Sequence, residues 1–454
     1  MNLLTLLAPV ALMAASGPFL VQPYLQLGDT PTASPSESLE LLWQAESNIG
    51  TWRVEMKTSA NFKPVAAPAS RLVALGRRHF VYRASLTPLK PGEHFDYRVL
   101  FNDQPVFSAS GHARVAPNAP FKFAVFADCG ADTSGQKKVA IETGKFNPDF
   151  VFIPGDIVYY FGLAHEYHNK FFPIYNADRA DPKLGAPLLR SIPFLASVGN
   201  HDVGGRDLGL HPDGLAYFYY WSLPLNGLAS FVRPGFKGSP EHQQVVLDAA
   251  GNAFPRMSNY SFDYGNSHWL VLDSNPDVEW SSPELKAWVA KELASAKNAT
   301  WRFVAFHHPP FNSSKAHGGD EHMRVLAKTF EDGAVDVVFS GHVHNYQRTY
   351  PLKFQLSDYD AKSKHAPGTW KLDRTFDGRE KTNPSGVIYL ITGAGGAFLY
   401  DTSQGADQKQ WQEFTTAFVS NTHSFTGVEI DGKKATFHQI DDNGKPVDTF
   451  TITK

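Results

Sequence analysis

The run Phe150-Val151-Phe152-Ile153-Pro154-Gly155-Asp156-Ile157-Val158-Tyr159 passes from a continuous apolar stretch, through a glycine, to an acid and then a phenol. Such an apolar stretch reads as a strand buried on both faces, inside a sheet covered by helices. The glycine permits a sharp turn off the strand end. Four more runs have the same form. Phe121–Ala127 leads into Asp128-Cys129-Gly130, and Phe194–Val198 into Gly199-Asn200-His201-Asp202. Arg302–Phe306 leads into His307-His308, and Val335–Ser340 into Gly341-His342-Val343-His344. The carboxyl ends of strands in an α/β sheet share one edge, where ligands bind, and strand ends are stiff enough to hold metal ligands. Alone, Asp-x-Gly is a turn and His-x-His a solvated pair. Five polar clusters, each closing an apolar strand, are not explained as five independent loops.

The residue types define a metal problem. Asp, His, Asn and Tyr without a thiolate form a hard to borderline oxygen and nitrogen set. Seven candidates are too many for one ion and suit two that share a carboxylate, an arrangement able to clamp a phosphate for in-line attack. The two histidines of His342-x-His344 are expected to point the same way, because side chains two apart on a strand share a face.

Outward from these clusters, His268–Leu272 and Val387–Ile391 read as further buried strands. Ser282-Pro283-Glu284 opens a helix with Leu285, Trp288, Val289 and Leu293 on one face, and Leu326 and Phe330 mark another. The tail 427–452 reads as strands turning at Asp431-Gly432 and Asn443-Gly444. Before Pro117 the texture differs: Leu39–Trp43, Thr51–Lys57, His79–Ala84 and Phe95–Phe101 are short runs between Gly and Pro turns, the pattern of an antiparallel sandwich. Residues 1–16 fit a secretory signal, with Ala14-Ala15-Ser16 offering a cleavage site, although the segment carries no Lys or Arg. Export to the periplasm or outside is therefore expected.

The 454 residues carry 42 Lys and Arg against 45 Asp and Glu, a formal net charge of −3. That balance does not draw the chain to nucleic acid or an anionic membrane, and no later stretch reads as a membrane span. A single cysteine, Cys129, excludes an internal disulfide and any cysteine-based metal site. Cys129 itself reads as a buried filler, His165 and His168 as a solvated helical face, His308 and the aromatic run 217–221 as packing, and Gly393–Gly396 as a close backbone approach to the site.

Asp128-x-Gly130, Gly155-Asp156-x-x-Tyr159, Gly199-Asn200-His201-Asp202, Val304-x-x-His307 and Gly341-His342-x-His344 resemble, in order, the five motifs of the purple acid phosphatases, a branch of the calcineurin-like metallophosphoesterases. Residues 86–99 resemble the E–F corner of fibronectin type III domains, with Phe95 where a tyrosine is usual. With 1–16 read as a signal peptide, the resemblance implies a fibronectin-like sandwich over 17–117 and a four-layer αββα catalytic sandwich over 118–454. It implies that Asp156 bridges two metals. Asp128, Tyr159 and His344 would complete a site for Fe(III), and Asn200, His307 and His342 a site for a divalent Zn, Mn or Fe. His201 would bind phosphate or protonate the leaving oxygen, with Asp202 orienting it. His317 matches the second of two substrate-facing histidines in the plant-type enzymes, while Ala316 replaces the first. The implied activity is hydrolysis of small phosphate monoesters at acid pH by a metal-bound hydroxide. The alternatives are a phosphodiesterase on the same metals and a non-catalytic metal-bearing binding or adhesion protein.

Overall fold

The computed structural model describes residues 18–228 and 237–454; the expected signal segment lies outside them. The front of the chain is an all-β sandwich. One sheet orders Val21–Gln26, Glu37–Ala45, His79–Leu89 and Ala69–Val73; the other orders Lys63–Pro64, Trp52–Lys57, His94–Phe101 and Gln104–His112. Large aromatics close it. Trp43 stacks on its cross-strand partner Tyr82 at 5.3 Å and meets Trp52 of the opposite sheet at 5.5 Å.

The remainder is a four-layer α/β sandwich. A six-stranded sheet orders Phe194–Ser197, Phe150–Pro154, Phe121–Val125, Ser424–Asp431, Lys434–Asp441 and Pro446–Thr453, the first three parallel. The tail thus completes this sheet, turning at Gly432 and Gly444, both at positive φ. A seven-stranded sheet orders Tyr260–Tyr264, Ser267–Val271, Trp301–Ala305, Val337–Ser340, Ile388–Thr392, Tyr346–Thr349 and Thr415–Val419. The sheets meet through aromatic rings: Phe123 lies 5.0 Å from Trp269 and 5.5 Å from Phe303. Helices cover the outside. Ser134–Phe146 is capped by the Thr133 hydroxyl, and Pro283–Ser295 buries Leu285, Trp288, Val289 and Leu293 as its period predicts.

The front sandwich is clasped onto the α/β body. Arg114, fully buried, pairs with Glu37 at 2.8 Å and donates to the carbonyls of Thr30, Thr32 and Asp263. Across the same junction the Tyr24 hydroxyl donates to the Tyr220 carbonyl and that of Tyr97 to the Arg190 carbonyl. His168 belongs to this junction and is not on a solvated face. Its Nε2 lies 2.7 Å from Gln44 Oε1, and burial, then His79 and Arg77, push its pKa down to about 3. His165 is the exposed one, paired with Asp213.

Candidate metal centre

All five predicted strands end at one edge, and the chain leaves three of them in left-handed conformations: φ is +58° at Asp128, +51° at Asp156 and +67° at His342. Gly155, at φ +83°, faces Gly199 so closely that a Cβ on it would lie 2.8 Å from the Gly199 backbone, and one on Gly199 would strike Asp156 Oδ1. These two glycines let the Asp156 and Asn200 loops close on each other.

Around Asp156 the side chains fall into two clusters. In one, the Tyr159 hydroxyl lies 3.1 Å from Asp128 Oδ1 and 3.0 Å from His344 Nε2. In the other, His307 Nε2 lies 3.2 Å from Asp156 Oδ2, 3.1 Å from Asn200 Oδ1 and 3.2 Å from His342 Nδ1. All seven sequence-predicted ligand residues are thus brought together. Ligating atoms of Asp156, His307 and His342 lie within 4.8 Å of one another, as do those of His317, Asp320 and His342.

Each imidazole turns one nitrogen inward and engages the other outward. His307 Nδ1 faces the Pro154 carbonyl at 2.9 Å, His344 Nδ1 the Phe398 carbonyl at 2.6 Å, and His342 Nε2 the Asp320 carboxylate at 3.1 Å. Each outward nitrogen thus has an acceptor for its proton, which leaves the inward one to a metal, the partnering that metal-bound histidines use. Asp128 Oδ2 is buried without a hydrogen-bond partner. Burial raises the Asp156 pKa, but His307, His201 and His342 outweigh it and hold the carboxyl low. Burial likewise opposes the His307 charge, yet Asp156 lifts its pKa to about 9. Two buried acids, a phenol and an inward nitrogen from each of three histidines form a donor set that fits cations.

His201 stands at the rim. Its Nδ1 lies 2.7 Å from the Tyr160 carbonyl, and its Nε2 faces the centre 3.8 Å from Asp156 Oδ2. Asp202 does not orient it. That carboxylate accepts from the amides of Gly199 and Ile157 and braces the two ligand loops; burial, then Asp156, pushes its pKa up to about 7. His317 reaches the centre indirectly, its ring 4.0 Å from that of His342 and its Nδ1 3.4 Å from Asp320 Oδ2. The His342–His344 pair does not share a strand face: residues 341–345 are a bend, and the two rings serve different clusters.

Asp320 and Tyr400 were not singled out by sequence. Asp320 links His317 and His342, and its one legible signal is its place three residues after His317. Tyr400 stacks on His344 at 4.0 Å and follows the Gly393–Gly396 run, where the amides of Gly395 and Ala397 reach the carbonyls of Ala127 and Asp128. His308 packs 4.4 Å from His342 and bonds Ser274, Cys129 is buried, and residues 217–221 are core.

Residues 121–346 match the model of the calcineurin-like phosphoesterase family, and this stretch is a calcineurin-like phosphoesterase domain. Beyond that class, the chain is 25% identical over 324 residues to the probable purple acid phosphatase 20 of Arabidopsis thaliana, covering 69% of this chain and 66% of that protein. It is 24% identical over 326 residues to purple acid phosphatase 21 of the same plant, covering 70% and 58% respectively. The chain therefore spans less than two thirds of these curated relatives. The structure of purple acid phosphatase PPD1 from yellow lupin (Lupinus luteus) seeds superposes with a TM-score of 0.61 at 18% identity, covering 95% of this chain and 74% of that one, which shows a shared fold.

Proposed function

We propose that this chain is a binuclear metal-dependent acid phosphatase acting on phosphate monoesters. One observation carries the reading: two clusters of ligand residues gather at one sheet edge, with the outward nitrogens of His307, His342 and His344 already engaged, and Asp156, 3.2 Å from His307, would serve both. Asp128, Tyr159 and His344 would hold a trivalent iron, for which a phenolate is a suitable ligand, and Asn200, His307 and His342 a divalent Zn, Mn or Fe. When bound, such a pair supplies Lewis-acid neutralisation of the phosphate and an activated water.

The chain's own residues do the rest. His201 turns Nδ1 to the Tyr160 carbonyl and Nε2 to the centre, so that a proton carried on Nε2 would face a phosphate oxygen or the departing alkoxide. Asp202 holds the Gly199 and Ile157 amides, keeping the Asn200 and Asp156 loops in register. Asp320 fixes the ring of His342 and turns His317 toward the rim. The fibronectin-like reading of the front sandwich, the boundary at 117/118, and export through residues 1–16 belong to the same proposal.

The test is hydrolysis of a chromogenic phosphate monoester and its diester, side by side across pH, with protein purified without chelator. Monoester turnover peaking at acid pH supports the reading. A preference for the diester moves the function to phosphodiesterase, and metal-loaded protein inert to both returns it to a binding protein.

A further inference from the structure

His317 is exposed, and its backbone lies in the left-handed region at φ +58°. A histidine keeps such a conformation where its surroundings over-determine it. Here the turn before it is held on every side. Asn312 Nδ2 donates to the Ala316 carbonyl at 3.1 Å, the Lys315 amide to Gln404 Oε1 at 3.2 Å, and the Ala316 amide to Asp401 Oδ2 at 3.1 Å. The Ser314 hydroxyl donates to the same Asp401 oxygen. Asp320 meets the His317 ring, whereas Asp401 and Gln404 hold the backbone that presents it. Asp401 is in turn placed by the cluster of Asp128, Tyr159 and His344. The segment before it crosses that cluster: the Ala397 amide donates to the Asp128 carbonyl at 2.7 Å, the Phe398 carbonyl meets His344 Nδ1 at 2.6 Å, and the Tyr400 amide donates to the His344 carbonyl at 3.2 Å. The Tyr400 ring stacks on His344, 5.8 Å from the ring of His317. Asp401 follows at φ +51°, a region that aspartate and asparagine enter more easily than most residues.

Resting on the phosphatase reading above, we infer that Asp401 is a positioning residue: it ties the turn before His317 to the Asp128–His344 side of the centre, so that the His317 imidazole is set to meet the phosphate. One carboxylate oxygen, accepting from Ser314 and Ala316, thereby fixes the distance between a rim histidine and the opposite ligand cluster. Asp401 acts through His317 and touches no proposed metal ligand itself, so its loss is felt in phosphate binding and not in metal retention.

The test uses the metal-loaded full chain and reads KM for a chromogenic phosphate monoester, the affinity for inorganic phosphate and metal content. Asp401→Ala should raise KM and weaken phosphate binding about tenfold, with kcat within about twofold and metal content unchanged. Asp401→Asn keeps an acceptor and tolerates the left-handed backbone, and should restore both to within about twofold of wild type. His317→Ala should reproduce the Asp401→Ala shift, and the double variant should add nothing to either single one. Additive losses, an Asp401→Ala chain that binds phosphate as wild type does, or one that sheds its metals overturns the positioning role. A metal-loaded wild type that turns over no monoester overturns the phosphatase reading, while the phosphate titrations still decide the coupling of Asp401 to His317.

Discussion

The two ligand clusters stand differently toward Asp156, whose carboxylate lies 3.2 Å from His307 of one and acts through its charge on Tyr159 and His344 of the other. Asp128, Tyr159 and His344 offer two oxygens and one nitrogen, are covered at His344 by the Tyr400 ring, and include a carboxylate oxygen buried without a partner. Asn200, His307 and His342 offer one oxygen and two nitrogens, and border the half-open His317–Asp320 pair. Hard, highly charged ions prefer the first set and borderline divalent ions the second. One sheet edge thus gathers two unlike donor sets, one richer in oxygen and one richer in nitrogen.

Asp156→Asn should break the comparison most severely, because both clusters lose their common anion. Turnover should fall by about three orders of magnitude, and metal analysis should show both ions depleted. His201→Ala tests the rim while leaving every proposed metal ligand in place: kcat should drop about a hundredfold while metal content stays at the wild-type level. Tyr159→Phe separates the clusters. The phenolate-to-iron absorption band should vanish and iron retention weaken, while the divalent ion is kept. Asp320→Asn is its counterpart on the other side, expected to cost about tenfold in divalent-ion affinity by loosening His342, with the iron band unchanged.

The strand-end ligands were legible because apolar runs and polar endings recur five times, and the aromatic inter-sheet core follows from the same runs. What escaped was set by tertiary contact. Asp202 looked like a partner for His201, but its acceptors serve backbone amides, which no side-chain pattern announces. The left-handed turn at His342 defeats strand alternation. Asp320 lies in a segment without helical or strand period, and His168 faces a surface that only the docked front sandwich supplies.

That docking yields the smallest expected effect. His168 has a folded pKa of about 3 against 6.5 ordinarily, so between those values the folded state binds fewer protons than the unfolded chain. Its neutral form stabilises the junction fully above pH 6.5, and this contribution is lost as pH falls toward 3. Thermal unfolding of His168→Gln should therefore depend less steeply on acid pH than that of the wild type, by a few degrees between pH 7 and pH 4.

The central claim is that two metals and monoester hydrolysis belong to one centre. Its most direct measurement is metal content per chain followed together with phosphate-monoester turnover, through chelator stripping and stepwise refilling. Two ions per chain are expected at full loading, with a rate that appears only as the second ion is restored. Full activity with one ion bound, or two ions bound with no activity, would contradict it.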